Sequence, residues 1–197
     1  MTPFRAADYS PAIAEILSLA GGGLQPMPLV FGACVSNKAR SRLQDLECVE
    51  LFAPRNVEAV DFAEAAQSGL FVYLGCMDQA HSIAQEIRTA TGSYWHGILH
   101  RMEPDFPNAR YWFRQVHQQE IFPALREAAI EIAGDSMPEF KIKFEWDAGR
   151  FIDHCEGVHK KPNPNLEPIL QEIQLAEWQL LFDFCCRKAL GLPLRNQ

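Results

Sequence analysis

The sequence contains no apolar run long enough to cross a membrane and no segment typical of a secretory signal. Its longest apolar-leaning runs, such as residues 69–76, fall far short of the roughly 20 residues that a membrane-spanning helix needs. The N-terminal sequence MTPFRAADYS lacks a basic stretch followed by a long apolar core. These absences predict a cytoplasmic protein that has no membrane partner.

The sequence is also poor in basic charge and in phosphate-binding loops. It contains 18 Lys and Arg against 25 Asp and Glu, which gives a formal net charge of −7. A protein that binds nucleic acid over much of its surface needs an excess of basic residues, so we expect no nucleic-acid partner. The three glycines at 21–23 follow an apparent helix, and no Lys-Ser or Lys-Thr pair comes after them. This glycine run is therefore not a phosphate loop.

The six cysteines include no CxxC pair. Cys185 and Cys186 are neighbours, which cannot cross-link within a regular helix without distortion. Cys155 follows His154, but adjacent helix positions point apart, so these two residues do not form a nucleophile–base pair. We therefore expect reduced thiols that pack as small hydrophobic side chains.

Helical apolar periodicity dominates what is present. Apolar residues make up 48% of the chain and charged residues 22%, which is the balance of a globular protein. We predict an all-α fold in one helical domain over residues 1–197, arranged as a bundle-like array. At most one short extended segment is expected, near 140–146, where apolar and charged residues alternate. Residues that precede helical patterns and can cap them are Ser36, Ser93, Asp105 and Asp147.

One helical segment is predicted to be long, from Val57 to about Arg88. It contains Gly69 and Gly75, which we interpret as points of close helix packing within the segment rather than as a break.

Three residues typical of metal ligands follow at helical spacing. His96, His100 and Glu103 are four and three positions apart, so at 100° per residue they fall within about 60° of arc on one helix face. Two imidazoles one turn apart can share a metal ion, and a carboxylate one turn further can complete three ligands.

The preceding segment carries a second polar face. Asp78, His81 and Gln85 are three and four positions apart, and a short connector near Gly92 favours antiparallel neighbours. Residues equally far from the turn should then face each other: His81 with His100, Asp78 with Glu103, and Gln85 with His96. The sequence thus predicts one polar cluster buried between two consecutive helices.

Several functions are compatible with this cluster. In the first, a divalent transition metal is held by His96 and His100, with His81 or Glu103 as third ligand. Asp78 or Glu103 would orient an imidazole or act as a base toward metal-bound water, as in a hydrolase-type enzyme that catalyses hydrolysis or hydration. A non-haem iron oxygenase could use the same ligand types. Whether the protein is an enzyme stays open at this point.

A small anionic molecule is the partner that the flanking residues suggest. Arg110 and Arg114 are four apart and can clamp a carboxylate or a phosphate. Alternatively, they pair with Asp105, Glu103 or Asp78 and hold helices together. The candidate substrate-binding residues are Arg110, Arg114, Asn108, Tyr94 and Trp112.

Two non-enzymatic alternatives use the same residues. A small-ligand-binding protein would line its pocket with the aromatic residues Tyr94, Trp95, Tyr111 and Trp112. In a structural helical protein, the His, acid and Arg side chains would form an internal hydrogen-bond network.

The stretch Thr91–Arg114 reads TGSYWHGILHRMEPDFPNARYWFR. It resembles a family of uncharacterised bacterial and fungal proteins with the signature TGSYWHxxxHRxExDxxNAxYWxR. Residues 80–85 and 177–183 extend the resemblance, but Met102 and residues 116–120 depart from the family pattern. The family has no assigned activity to carry over. The resemblance implies that the recurring motif includes His96, His100, Glu103, Asp105, Asn108 and Arg110.

Overall fold

The computed structural model describes residues 3–138, 140 and 145–195, and this part of the chain contains helices and turns but no β-strand. The helices are α1 (Pro11–Ser18), α2 (Asn37–Gln44), α3 (Val60–Tyr73), α4 (Met77–Ala84), α5 (Ala90–Met102), α6 (Phe106–Val116), α7 (Phe122–Ala133), α8 (Ala148–Lys160) and α9 (Glu167–Ala189). The predicted all-α class is confirmed. Most of the extended segment expected near 140–146 falls on residues 141–144, which lie outside the described residues.

Side-chain caps fix where several helices begin. The Ser36 hydroxyl accepts a hydrogen bond from the backbone N–H of Ala39, and carboxylates of Asp105 and Asp147 accept from the backbone at the starts of α6 and α8. These three caps were predicted. Ser93 is not a cap, because α5 begins earlier, at Ala90, with the Thr89 hydroxyl accepting from the Gly92 N–H.

The prediction of one long helix from Val57 to about Arg88 is wrong. Helix α3 ends at Tyr73, where Gly75 adopts a φ of 71° that favours glycine. The Gly75 N–H donates to the Val72 carbonyl and the Cys76 N–H to the Phe71 carbonyl, which is the hydrogen-bond pattern of a Schellman C-cap. The chain therefore turns, and α4 is a separate helix.

Gly69 does mark close packing, as expected. A Cβ atom at this position would lie 2.6 Å from the Trp95 side chain of α5. The Gly69 carbonyl also accepts a hydrogen bond of 2.7 Å from the Trp178 indole of α9. The absence of a side chain here lets α3 pack closely against α5, while the carbonyl group of the same residue bonds to α9.

Helix α5 lies at the centre of the array. It contacts α3, α4 and α6, while α9 contacts α3, α7 and α8. Most residues from Thr91 to Met102 are buried, and the buried apolar side chains of the described residues form one continuous core. Among these residues, no helix has the combination of length and apolar character that spanning a bilayer requires.

A buried ion pair joins α5 to α9. Both Arg101 and Glu177 are 0% exposed, and their side chains are hydrogen bonded to each other. Arg101 Nε also donates to Gln174 Oε1 at 3.3 Å, and the Tyr94 hydroxyl donates to Glu177 Oε1 at 3.1 Å. The Arg101 guanidinium carbon lies 4.5 Å from the centre of the Phe151 ring, within cation–π distance. The two charges are thus paired and hydrogen bonded inside the core.

We expect Arg101→Met to lower the free energy of unfolding by about 3–5 kcal/mol, because it leaves the Glu177 carboxylate buried without its counter-charge. Tyr94→Phe is the matched control, since it removes one hydrogen bond to the same carboxylate and should cost about 1 kcal/mol. Chemical denaturation at equilibrium measures both values. Equal losses in the two variants would contradict the central role of the ion pair.

Candidate metal centre

Three histidines from two helices meet at one point. His81 of α4 and His96 and His100 of α5 each offer a ring nitrogen, and these three nitrogens lie within 4.8 Å of one another. The closest pair is His81 Nε2 and His96 Nε2, which are 3.1 Å apart. Across the ranges 3–138, 140 and 145–195, no second group of three or more His, Cys, Asp or Glu side chains converges in this way.

The three rings have defined orientations. The His96 and His100 rings, one helical turn apart, are nearly parallel at 7°, with centroids 5.1 Å apart. The His81 ring stands at 89° to both, with centroid distances of 4.4 Å to His96 and 5.3 Å to His100. The His81 ring is therefore perpendicular to the two rings of α5.

Trp112 of α6 forms one wall of the group. Its ring stacks on the His96 ring at an interplanar angle of 12° and a centroid distance of 4.1 Å. Helix α6 approaches α5 closely because Gly97 has no side chain: a Cβ atom there would lie 2.7 Å from the Phe113 ring. The glycine next to His96 thus permits the contact that fixes the plane of its ring.

Helix α4 is held in place from the side of α3. The Ser68 hydroxyl of α3, which is buried, donates a hydrogen bond of 2.9 Å to the Ala80 carbonyl, one residue before His81. Ala80 and Ala84 are the buried residues of α4. His81 is half-buried, so it lies at the margin between the packed face of α4 and its exposed face.

Acidic side chains contact His100 from outside the group. Glu103 Oε2 lies 2.9 Å from His100 Nδ1, and Asp105 Oδ2 lies 3.9 Å from the same nitrogen. The sequence left His81 and Glu103 as alternative third ligands. The structure brings His81 into the nitrogen group, whereas Glu103 lies against Nδ1 of His100 and does not belong to that group. A carboxylate hydrogen bonded there would orient a metal-binding imidazole, but in this structure the contact lacks the alignment of a hydrogen bond.

The expected register between α4 and α5 is only partly observed. His81 lies closer to His96 than to His100, whereas equal spacing about the turn predicted the reverse. The connector begins after Ala84 and ends before Ala90, earlier than the connector near Gly92 that the prediction assumed. Asp78, the other candidate catalytic residue, is exposed on α4 and does not belong to the nitrogen group.

Burial determines the charge state of the central histidine. His96 is 5% exposed, and its pKa is lowered from 6.5 to about 4, first by desolvation and then by the neighbouring His81 and His100. The imidazole of His96 is therefore neutral at pH 7, and one ring nitrogen carries a free lone pair.

The predicted substrate-binding residues occupy different places. Arg110 donates hydrogen bonds of 2.6 Å to Asp153 and Glu156 of α8. It therefore holds α6 and α8 together, but its acidic partners are not the ones that the sequence suggested. Asn108 Nδ2 donates to Asp105 Oδ2 at 2.8 Å. Tyr94 faces the Arg101–Glu177 pair, on the side of α5 away from the histidines.

Arg114 is exposed and lines a cavity of about 490 Å³, together with Arg110, Phe113, His117, Phe122 and residues 145–149. The three histidines do not line this cavity. Of the five candidate residues, Trp112 is thus the one in ring contact with the histidine group.

The sequence matches no protein-family model, and neither a curated protein nor a solved structure shows significant similarity to it. The family resemblance of residues 91–114 therefore stays a prediction.

The buried His96 predicts how the stability of the metal-free protein depends on pH. Its folded-state pKa of about 4 lies below the unfolded value of 6.5, so the unfolded chain binds more protons between these values. The free energy of unfolding should therefore have its full value above pH 6.5. It should decrease as the pH falls toward 4, by at most about 1.4 kcal/mol for each pH unit.

Urea denaturation in the presence of a chelator measures this effect. His96→Gln removes the titrating group and should flatten the profile between pH 6.5 and 4, whereas His159→Gln, at an exposed position, should leave it unchanged. An identical slope in the His96 variant would contradict the assignment.

Proposed function

We propose that this protein binds a divalent transition-metal ion through His81, His96 and His100. The observation that carries the proposal is the convergence of three imidazole nitrogens within 4.8 Å. Two nitrogens that each lie 2.0–2.1 Å from a tetrahedral zinc ion are about 3.3 Å apart. The 3.1 Å between His81 Nε2 and His96 Nε2 is close to this value. The His100 nitrogen lies within 4.8 Å of the other two, so it would move by at most about 1.5 Å to reach the same spacing.

The donor set supports an imidazole-preferring ion. Three imidazole nitrogens suit Zn²⁺, Cu²⁺, Fe²⁺ or Ni²⁺, whereas Ca²⁺ and Mg²⁺ require oxygen ligands. Three protein ligands leave a tetrahedral ion with one open position, which is the arrangement of catalytic rather than structural zinc sites. The Glu103 carboxylate, 2.9 Å from His100 Nδ1, lies where such sites place the outer carboxylate that orients a ligand.

An ion held by His81, His96 and His100 would supply, when bound, a water molecule whose pKa is lowered toward neutral pH. We therefore propose hydrolysis or hydration as the reaction class, with a small anionic molecule as the substrate and the cytoplasm as the location. The anionic substrate is proposed from the pair Arg110 and Arg114 in the sequence. Arg114 is exposed on the helix that carries Trp112, and it lines a cavity that the three histidines do not line.

A second candidate function has one observation in its favour. The 3.1 Å between the Nε2 atoms of His81 and His96 is also a hydrogen-bond distance when one of the two nitrogens carries a proton. In that case the histidines form an internal network in a structural or ligand-binding protein. Metal uptake distinguishes the two functions.

We expect the wild-type protein to bind about one equivalent of Co²⁺ or Zn²⁺ after removal of bound ions with a chelator. His81→Ala, His96→Ala and His100→Ala should each weaken the affinity at least tenfold, because each removes one of three ligands. His159→Ala is the matched control and should bind like the wild type. Calorimetric titration and the visible spectrum of the Co²⁺ complex provide the measurement.

Uptake below about 0.1 equivalent, or loss of binding in the His159 variant as well, would contradict the metal site. Circular dichroism of each metal-free variant shows whether it is folded, so that weakened binding is not confused with unfolding.

Glu103→Gln tests the outer carboxylate. We expect it to weaken metal affinity by about 10–100-fold while leaving the stoichiometry unchanged, because the three ligands remain and only the orientation of His100 is lost. Hydrolysis of an activated ester by the Zn²⁺-loaded protein should fall in parallel, and its pH profile should shift. Unchanged affinity and an unchanged pH profile would show that Glu103 does not position His100.

A further inference from the structure

Two cysteines that are distant in the sequence lie side by side. The sulfur atoms of Cys34 and Cys76 are 3.1 Å apart, and both residues have free thiols. A disulfide bond is about 2.05 Å long, so the two sulfurs are separated by only about 1 Å more than the covalent distance. The sequence predicted reduced thiols that pack as small hydrophobic side chains and gave no sign of this pair, because 41 residues separate the two positions.

The backbone on both sides of the pair is anchored. Val35 N donates to the Leu74 carbonyl at 3.0 Å, which fixes the connector between α1 and α2 against the end of α3. Gly75 lies directly against this connector, since a Cβ atom at Gly75 would be 3.3 Å from the Ala33 carbonyl. The chain segments that carry the two sulfurs are thus held together without a covalent link.

The two thiols differ in their access to solvent. Cys34 is half-buried, and Cys76 is buried at 5% exposure. Burial, together with the adjacent Cys34, raises the pKa of Cys76 to about 12. Cys34 is therefore the thiol that a reagent in solution reaches first, and Cys76 is placed to react with it in a second step.

We propose that Cys34 and Cys76 form a reversible disulfide when a low-molecular-weight disulfide, such as oxidised glutathione, is in excess. The Cys34 thiolate attacks one sulfur of this oxidant, and the other sulfur leaves as a thiolate. The Cys76 thiolate then attacks the Cys34 sulfur of the mixed disulfide and releases the second glutathione. The two protein thiols lose two electrons and two protons, and one disulfide is reduced to two thiols.

The bond would connect the connector to the start of the helix that carries His81. The Cys76 carbonyl accepts the hydrogen bond of the Ala80 N–H at 3.1 Å in the first turn of α4. The connector also contacts the far end of α5, where the Phe31 N–H donates to the Met102 carbonyl at 3.0 Å. Oxidation would thus fix α4 to the segment that holds the C-terminal end of α5.

The experiment uses the full-length protein, treated with a chelator, in buffers that span reduced to oxidised glutathione. Free thiols are alkylated after an acid quench, and peptide mass spectrometry locates any linkage. We expect a 34–76 linkage that dithiothreitol reverses. Because the bond closes a loop of about 40 residues, the melting temperature should rise by roughly 5–15 °C.

Variants assign the effect to this pair. Cys34→Ser and Cys76→Ser should each abolish the linkage and the rise in melting temperature, whereas Cys48→Ser, at another half-buried cysteine, should behave like the wild type. Reaction that stops at a mixed disulfide on Cys34, a linkage between other cysteines, or a melting temperature that rises equally in the Cys34 variant would each overturn the proposal.

Discussion

The buried contact between Arg101 and Glu177 sets the rotation of α5 about its own axis, and the histidine group depends on that rotation. Arg101 and Tyr94 lie roughly 130° around α5 from His96 and His100 at 100° per residue. Because an unpaired charge in the core is costly, the helix can bury only one of its faces against α9. With Arg101 directed at Glu177, the imidazoles of α5 are directed at α4. One ionic contact on one side of the helix thus determines which side chains meet on the other.

The buried polar groups on the two faces of α5 are stabilised in different ways. On the α9 side, full charges are kept and neutralised by pairing, with Gln174 and Tyr94 completing the hydrogen bonds. On the α4 side, desolvation lowers the pKa of His96 to about 4, so the buried group is neutral instead of paired. A neutral imidazole is the form that donates a lone pair to a metal, whereas the paired guanidinium is chemically inert. The same helix therefore combines a paired ionic contact on one face with a neutral imidazole on the other.

The all-α class, three of the helix caps and the convergence of His81, His96 and His100 could be predicted from the sequence, because helical periodicity and capping act over a few residues. The break at Gly75 could not, since a glycine can equally mark close packing, as Gly69 does. The register of α4 against α5 depends on the start of the connector, and a shift of a few residues changes which rings are nearest. The ion pair of Arg101 with Glu177 and the contact between Cys34 and Cys76 join residues far apart in the chain, and no local pattern encodes such pairings.

The stacking of Trp112 on His96 gives the molecule an optical reporter of its own. The indole lies with its ring centroid 4.1 Å from that of the imidazole, close enough for electronic contact, and it is half-buried, whereas the other three tryptophans, Trp95, Trp146 and Trp178, are buried. Its fluorescence should therefore respond selectively to the chemical state of the adjacent ring, through quenching by a protonated imidazole or by a paramagnetic ion. Events at the histidines can accordingly be followed in the native chain without attaching a dye.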